Sequence, residues 1–293
     1  MPTIDILGVP HVYELTPCTA KSRTPVLVFI HGWLLSRHYW QPMLDLLSPE
    51  YQCLLYDLRG FGDSQVLPNL DSTNSLNNNL NYTLAAYAED LDLLLQHLSI
   101  EKVWLIGHSL GGSIALWGAK TIEQKVEGVI CLNSGGGIYL KEEFERFRSV
   151  GQQLVKFRPY WLSKLPWLDL IFARMMVARP LTSSWGRQRL IDFVRANRQA
   201  ALGALLDSTT EAEVHLLPKI VAQLQQPVYF LAGKQDQVME LKYVHHLASF
   251  HQLFQQNYSN VIEIPDCGHL SMVEQPKVVA EIIANLVSQS QLT

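Results

Sequence analysis

A serine hydroxyl becomes a useful nucleophile only when the chain exposes it and sets a base beside it. The stretch Gly107-His108-Ser109-Leu110-Gly111-Gly112 offers the exposure. An apolar run of strand type, Val103–Ile106, stops at Gly107, and the helical run Ser113–Ala119 follows. Strand, sharp turn and helix put Ser109 at the apex. Side chains two residues to either side would collide with neighbouring chain, and glycine at 107 and 111 removes that collision. The pattern alone is weak evidence; the strand before it and the helix after it give it weight.

The base should titrate near neutrality. Of ten histidines, His269 lies in the loop directly after the late strand Val261–Ile264, on the sheet edge that carries Ser109. His245, His246 and His251 fall on a helical stretch and read as packing or surface groups. The orienting carboxylate should also follow a strand, and Asp236 follows Pro227–Gly233. The competing strand end, after Leu132, offers Asn133 and Ser134 and no acid, with Glu240 and Asp266 as fallbacks. A tetrahedral oxyanion needs donors held where its charge appears. The expected donors are the backbone N–H of Leu110 and that of Trp33, in the loop His31-Gly32-Trp33. Leu34 and His108, beside these two, are assigned to the substrate pocket, although so tight a turn aims the His108 side chain away from Ser109.

These groups need strands to carry them. Residues 4–15 alternate apolar and polar around Gly8 and Pro10 and read as an opening hairpin or edge strands. The continuous apolar run at 25–31 reads as a strand buried on both faces, and further strands are expected at 52–56, 103–107, 126–132, 227–233 and 261–264. Helices are expected at 40–47, 83–98, 113–119, around 239–256 and at 276–289. Residues 65–82, rich in Asn and Ser, read as a solvated loop. Alternating strands and helices predict an α/β fold with a mostly parallel central sheet covered on both faces. The rhythm breaks over 138–220, so a core of 1–137 and 221–293 with a helical cap at 138–220 is expected.

The chain resembles an α/β-hydrolase-fold serine hydrolase, in which triad members follow the order Ser109, Asp236, His269. The matching motifs are His31-Gly32-Trp33-Leu34-Leu35, the segment from Asp57 to Ser64, Gly107 to Gly112, Asp236 after its strand, and Gly268-His269. The first is similar to bacterial aryl esterases, and that resemblance implies the same two oxyanion donors. It also implies that Arg59 and Asp63 belong to a structural loop. Serine at 109 argues against the dehalogenases and epoxide hydrolases of this fold, which use an aspartate nucleophile. Cys267 reads as a packing residue, since no separate base is assigned to it.

Composition limits the partners. Forty-eight per cent hydrophobic and 17% charged residues over 293 describe a globular chain, and a net charge of -4 gives no case for nucleic acid. Four scattered cysteines without a Cys-x-x-Cys pair fit a reducing compartment and argue against a zinc site. The N-terminus lacks the marks of a signal peptide, so a cytoplasmic enzyme without metal or cofactor is expected. Between Lys141 and Arg198 twelve basic residues face five acidic ones, a surplus of seven against a deficit of eleven elsewhere. Nine aromatic residues share that stretch. Two readings stand: a cap packed on the core with a solvated charged face, or a surface that touches an anionic membrane or admits an acidic or lipophilic substrate. The expected activity is hydrolysis of a carboxylic ester with a hydrophobic acyl or alcohol group. Thioester, lactone or carbon–carbon cleavage on the same triad, and a non-catalytic ligand receptor, are the alternatives.

Overall fold

The computed structural model describes residues 1–18, 25–65, 81–136, 141–165, 167–256 and 259–290. Most of the Asn-rich loop, and the start of the expected cap at 138–140, lie outside them. Among the described residues eight strands form one sheet. β1 (Thr3–Ile6) and β2 (Val9–Leu15) make the expected antiparallel hairpin, turning at Leu7 and Gly8 with φ of 53° and 80°. β2 pairs antiparallel with β4 (Cys53–Tyr56). Beyond that every pairing is parallel, through β3 (Val26–Ile30), β5 (Val103–His108), β6 (Val126–Leu132), β7 (Val228–Gly233) and β8 (Val261–Ile264). The spatial order is β1-β2-β4-β3-β5-β6-β7-β8.

β3, β4 and β5 are buried on both faces, as continuous hydrophobic strands require. In β3, Leu27 and Phe29 face a core shared with α1 (Gln41–Leu47) and α12 (Pro276–Ser290). Val28 and Ile30 face the opposite core. It is shared with α2 (Leu84–His97), α3 (Leu110–Thr121), α8 (Glu211–Gln223) and α9 (Leu241–Ala248). Each buried Leu, Ile or Phe stabilises the fold by about 1.5–3 kcal/mol relative to an exposed one. The helix expected around 239–256 is two: α9 ends near Ala248, and His251 caps α10 (Gln252–Gln255) by accepting from Leu253 N at 3.2 Å.

Between β6 and β7 the chain makes α4 (Lys141–Lys156), a 3-10 turn at Tyr160–Lys164, α5 (Leu168–Phe172), α6 (Ser183–Arg195) and α7 (Arg198–Ser208), then α8. α8 belongs with the core. Its Leu217, Ile220 and Val221 are buried there, and Trp117 of α3 donates its indole N–H to Glu213 at 2.5 Å. The boundary expected at residue 220 therefore runs through a helix packed on α3 and α9. Among the described residues no helix is long and apolar enough to cross a membrane.

Candidate active site

β5 ends at His108 and α3 begins at Leu110, which leaves one residue to turn the chain. Ser109 does so at φ 52°, ψ -117°, a conformation that costs a non-glycine residue about 1–3 kcal/mol. The turn is tied down: Ser109 N donates to Leu132 O at 2.9 Å, and Gly112 N donates to Ser109 O at 3.0 Å. A Cβ on Gly107 would sit 2.6 Å from Gly112 Cα, and one on Gly111 would sit 2.6 Å from His31 O. Strand, helix and the end of β3 meet backbone to backbone there, which is the collision that the glycine spacing implies.

His269 follows β8 and Asp236 follows β7, at the same edge as Ser109. His269 Nδ1 and Asp236 Oδ2 are 2.8 Å apart and both side chains are buried. Asp236 Oδ1 accepts from Val238 N at 2.8 Å and Met239 N at 2.9 Å. Burial works to raise the Asp236 pKa, but the His269 ring, the Met239 N–H and the Asn133 amide hold it below the ordinary carboxylate value. A charged Asp236 fixes the proton on Nδ1 and leaves Nε2 to receive one. Ser109 Oγ is hydrogen-bonded to no other described residue; bonds from nucleophile to base are often long until substrate is bound.

Asn133, which the sequence presents only as a missing acid, is a brace. At φ 48° its Nδ2 donates to Asp236 Oδ2 and to Gly268 O, both at 2.9 Å. Its one signal is its type, since asparagine tolerates the left-handed region at a strand end. His108 is a second brace. It is 1% exposed, its Nε2 donates to His269 O at 2.7 Å, and its ring centroid lies 4.8 Å from that of His269. Burial and the neighbouring His269 push its pKa down to about 3, so it stays neutral. His108, assigned from the sequence to the substrate pocket, is instead buried behind the serine turn, where its side chain supports the His269 loop. Glu274, on α11 (Ser271–Glu274), has no sequence signal at all. Its carboxylate accepts from Gly268 N at 3.0 Å, Leu270 N at 3.0 Å and Ala178 N at 2.8 Å, while His269 N donates to Met176 O at 2.8 Å. The inserted segment therefore holds the His269 loop directly.

Leu110 opens α3, and Trp33 lies in a turn closed by Leu35 N donating to Gly32 O at 3.3 Å, with Leu34 at φ 57° and 9% exposed. Among the described residues neither the Trp33 nor the Leu110 backbone N–H has a protein acceptor. The loop is anchored on both sides. Trp33 Nε1 donates to Ala201 O of α7 at 2.8 Å, and Leu58 N donates to His31 Nε2 at 3.0 Å. Gly32 lets it approach the serine turn, since a Cβ there would lie 2.7 Å from His108 Nδ1.

The competing residues are engaged elsewhere. Glu240 pairs with Lys242 at 3.1 Å, Asp266 with Arg179 at 3.0 Å, and His245 with Glu263 at 3.0 Å. Arg59 pairs with Asp90 at 3.2 Å and lies over the rings of Tyr82 and Tyr87, and Asp63 pairs with Arg37 at 3.0 Å. Both are structural ties. Cys267 is fully buried, and burial pushes its thiol pKa up, as a packing residue requires. Among the described residues no group of His, Cys, Asp and Glu is arranged to hold a metal.

Comparison with known proteins agrees with this geometry. The chain is 29% identical over 273 residues to 2-succinyl-6-hydroxy-2,4-cyclohexadiene-1-carboxylate synthase of Salmonella typhimurium, covering 90% of this chain and 94% of that protein. It superposes on a thermophilic esterase from Thermogutta terrifontis with a TM-score of 0.76 at 21% identity, covering 99% of each chain. It also superposes on a meta-cleavage product hydrolase from Pseudomonas fluorescens with a TM-score of 0.70 at 16% identity, covering 99% of this chain and 98% of that one. The alpha/beta hydrolase fold model matches residues 25–276, and with the parallel sheet and the serine turn in place, the chain belongs to the alpha/beta hydrolase fold family.

Proposed function

We propose that the protein is a serine esterase in which Ser109 is the nucleophile, His269 the general acid–base and Asp236 its orienting carboxylate. One observation carries the reading: His269 is locked at 2.8 Å to a buried, charged Asp236 on the sheet edge where the turn raises Ser109. Ser109 Oγ attacks the ester carbonyl and passes its proton to His269 Nε2. The carbonyl oxygen becomes an oxyanion, met by the unpaired N–H groups of Trp33 and Leu110. Collapse expels the alkoxide, which takes the proton from His269. Water then adds to the acyl-enzyme, giving a proton to His269, and the carboxylic acid departs as Ser109 regains a proton.

The inserted helices act as a cap, and their apolar side chains support a hydrophobic acyl or alcohol group. The buried thiols of Cys53, Cys131 and Cys267 support a reducing, cytoplasmic setting. Turnover of short p-nitrophenyl esters by the wild type, abolished in Ser109→Ala, tests the reading; a wild type with no turnover across the chain-length series counts against it. A second reading, carbon–carbon chemistry on the same residues, is favoured by the similarity to a synthase over nine-tenths of the chain. It predicts labelling of Ser109 by a fluorophosphonate without turnover of any simple ester.

A further inference from the structure

Between Val150 and Trp167 the inserted segment turns apolar side chains to water. Val150 and Leu154 on α4, and Phe157 just beyond its end, follow one another at helical spacing and are 48%, 44% and 78% exposed. Trp161 and Trp167 follow at 58% and 56%. The opposite side of α4 is the packed one, with Gly151 and Val155 buried against the protein. Exposed apolar surface of this extent marks a binding face rather than ordinary surface.

The segment is held rigidly in that pose. Arg158 donates to the carbonyls of Phe193 and Ala196, the latter at 2.6 Å. Arg187 donates to Ser163 O, and Arg189 to the carbonyls of Phe172 and Met175, the latter at 2.7 Å. Part of the arginine surplus thus clamps the backbone from within. The lysines behave differently. Lys156 and Lys164 are exposed and pair with no acid among the described residues. From 152 to 176 the one acid is Asp169, which lies 3.7 Å from Arg187.

We propose that this face docks the protein on an anionic lipid bilayer. Tryptophan and phenylalanine rings suit the boundary between headgroups and acyl chains, and unpaired lysines beside them suit a negatively charged leaflet. The charge pattern decides the occupant: Lys156 and Lys164 stand within the apolar stretch, in a segment with a surplus of seven positive charges, while the rest of the protein is acidic. The segment enters the membrane boundary and does not cross it. The same stretch continues to Met176, nine residues beyond Trp167, whose carbonyl accepts from His269 N.

Vesicle flotation of the full chain tests the proposal, with phosphatidylglycerol and phosphatidylcholine vesicles at low and physiological salt. Phosphatidylglycerol should retain the protein on the order of tenfold better, with the difference shrinking as salt rises. A Lys156→Gln, Lys164→Gln double variant should lose most of that preference, on the order of tenfold in partitioning at low salt. A Trp161→Ser, Trp167→Ser double variant should lose retention at both salts while melting like the wild type. Should the tryptophan pair fail to fold, the lysine pair and the salt response of the wild type still decide. Equal retention by both lipids, or none by either, overturns the proposal. So does concentration-dependent dimerisation that the tryptophan substitutions abolish without vesicle binding, since the face would then belong to a second copy.

Discussion

Asn133 donates its side-chain amide to the Asp236 carboxylate at 2.9 Å, and the same nitrogen reaches Gly268 O at 2.9 Å. The strand end that lacks an acid thus supplies the group that holds the acid on the neighbouring strand. Asn133→Asp keeps the left-handed backbone and sets a second carboxylate against Asp236. Added negative charge stabilises the imidazolium of His269, so a higher pH is needed for a neutral base. The acidic limb of the kcat/KM profile should therefore move to higher pH. An unmoved limb means that Asn133 does not act on the His269–Asp236 pair.

Glu274 gathers three backbone N–H groups from two segments: Gly268 and Leu270 beside the base, and Ala178 in the insertion. Glu274→Ala leaves all three without an acceptor. The expected cost is about 2–3 kcal/mol of stability, read as a lower urea midpoint with an unchanged slope, together with a reduced kcat. Glu274→Gln, which keeps acceptor oxygen, should recover part of both. Wild-type stability in the alanine variant contradicts the assignment.

Gly111 has no room for a methyl group, since the carbonyl of His31 would lie 2.6 Å from it. Gly111→Ala should destabilise the protein by about 3 kcal/mol or prevent folding. A melting temperature within a degree or so of wild type would mean that β3 and α3 do not meet as described.

Asp192 on α6 is 3% exposed, accepts from Ser36 Oγ at 2.8 Å and from Gln188 Nε2 at 3.1 Å, and burial pushes its pKa up to about 7. Unfolded, it ionises near pH ~4. Between those values the folded chain holds a proton that the unfolded chain has lost, so this group lowers stability as pH rises through the window. Asp192→Asn removes the titration. Its stability relative to wild type should climb between about pH 4 and 7, by at most about 4 kcal/mol, and stay level above. Parallel stability curves for the two proteins would show that Asp192 does not titrate there.

The parts of the site that lie in sequence patterns were legible: the glycine-flanked serine, and two strand ends carrying Asp236 and His269. Period and position suffice there because a parallel sheet gathers its strand ends on one edge. What binds those ends together was not legible. Asn133 and Glu274 act through contacts between segments far apart in the chain, and neither residue type nor spacing announces them. The same holds for Arg158 and Arg189, which look like surface charge in the sequence and turn out to brace carbonyls of the insertion. α8 follows the inserted helices in sequence and packs on α3 and α9 in space, with Leu217, Ile220 and Val221 buried.

Intact-protein mass spectrometry with peptide mapping after fluorophosphonate treatment tests Ser109 as the nucleophile. A single phosphonyl adduct is expected on the peptide carrying Ser109, formed slowly in His269→Gln and absent in Ser109→Ala. An unlabelled wild type, or an adduct that persists at another residue in Ser109→Ala, would contradict it.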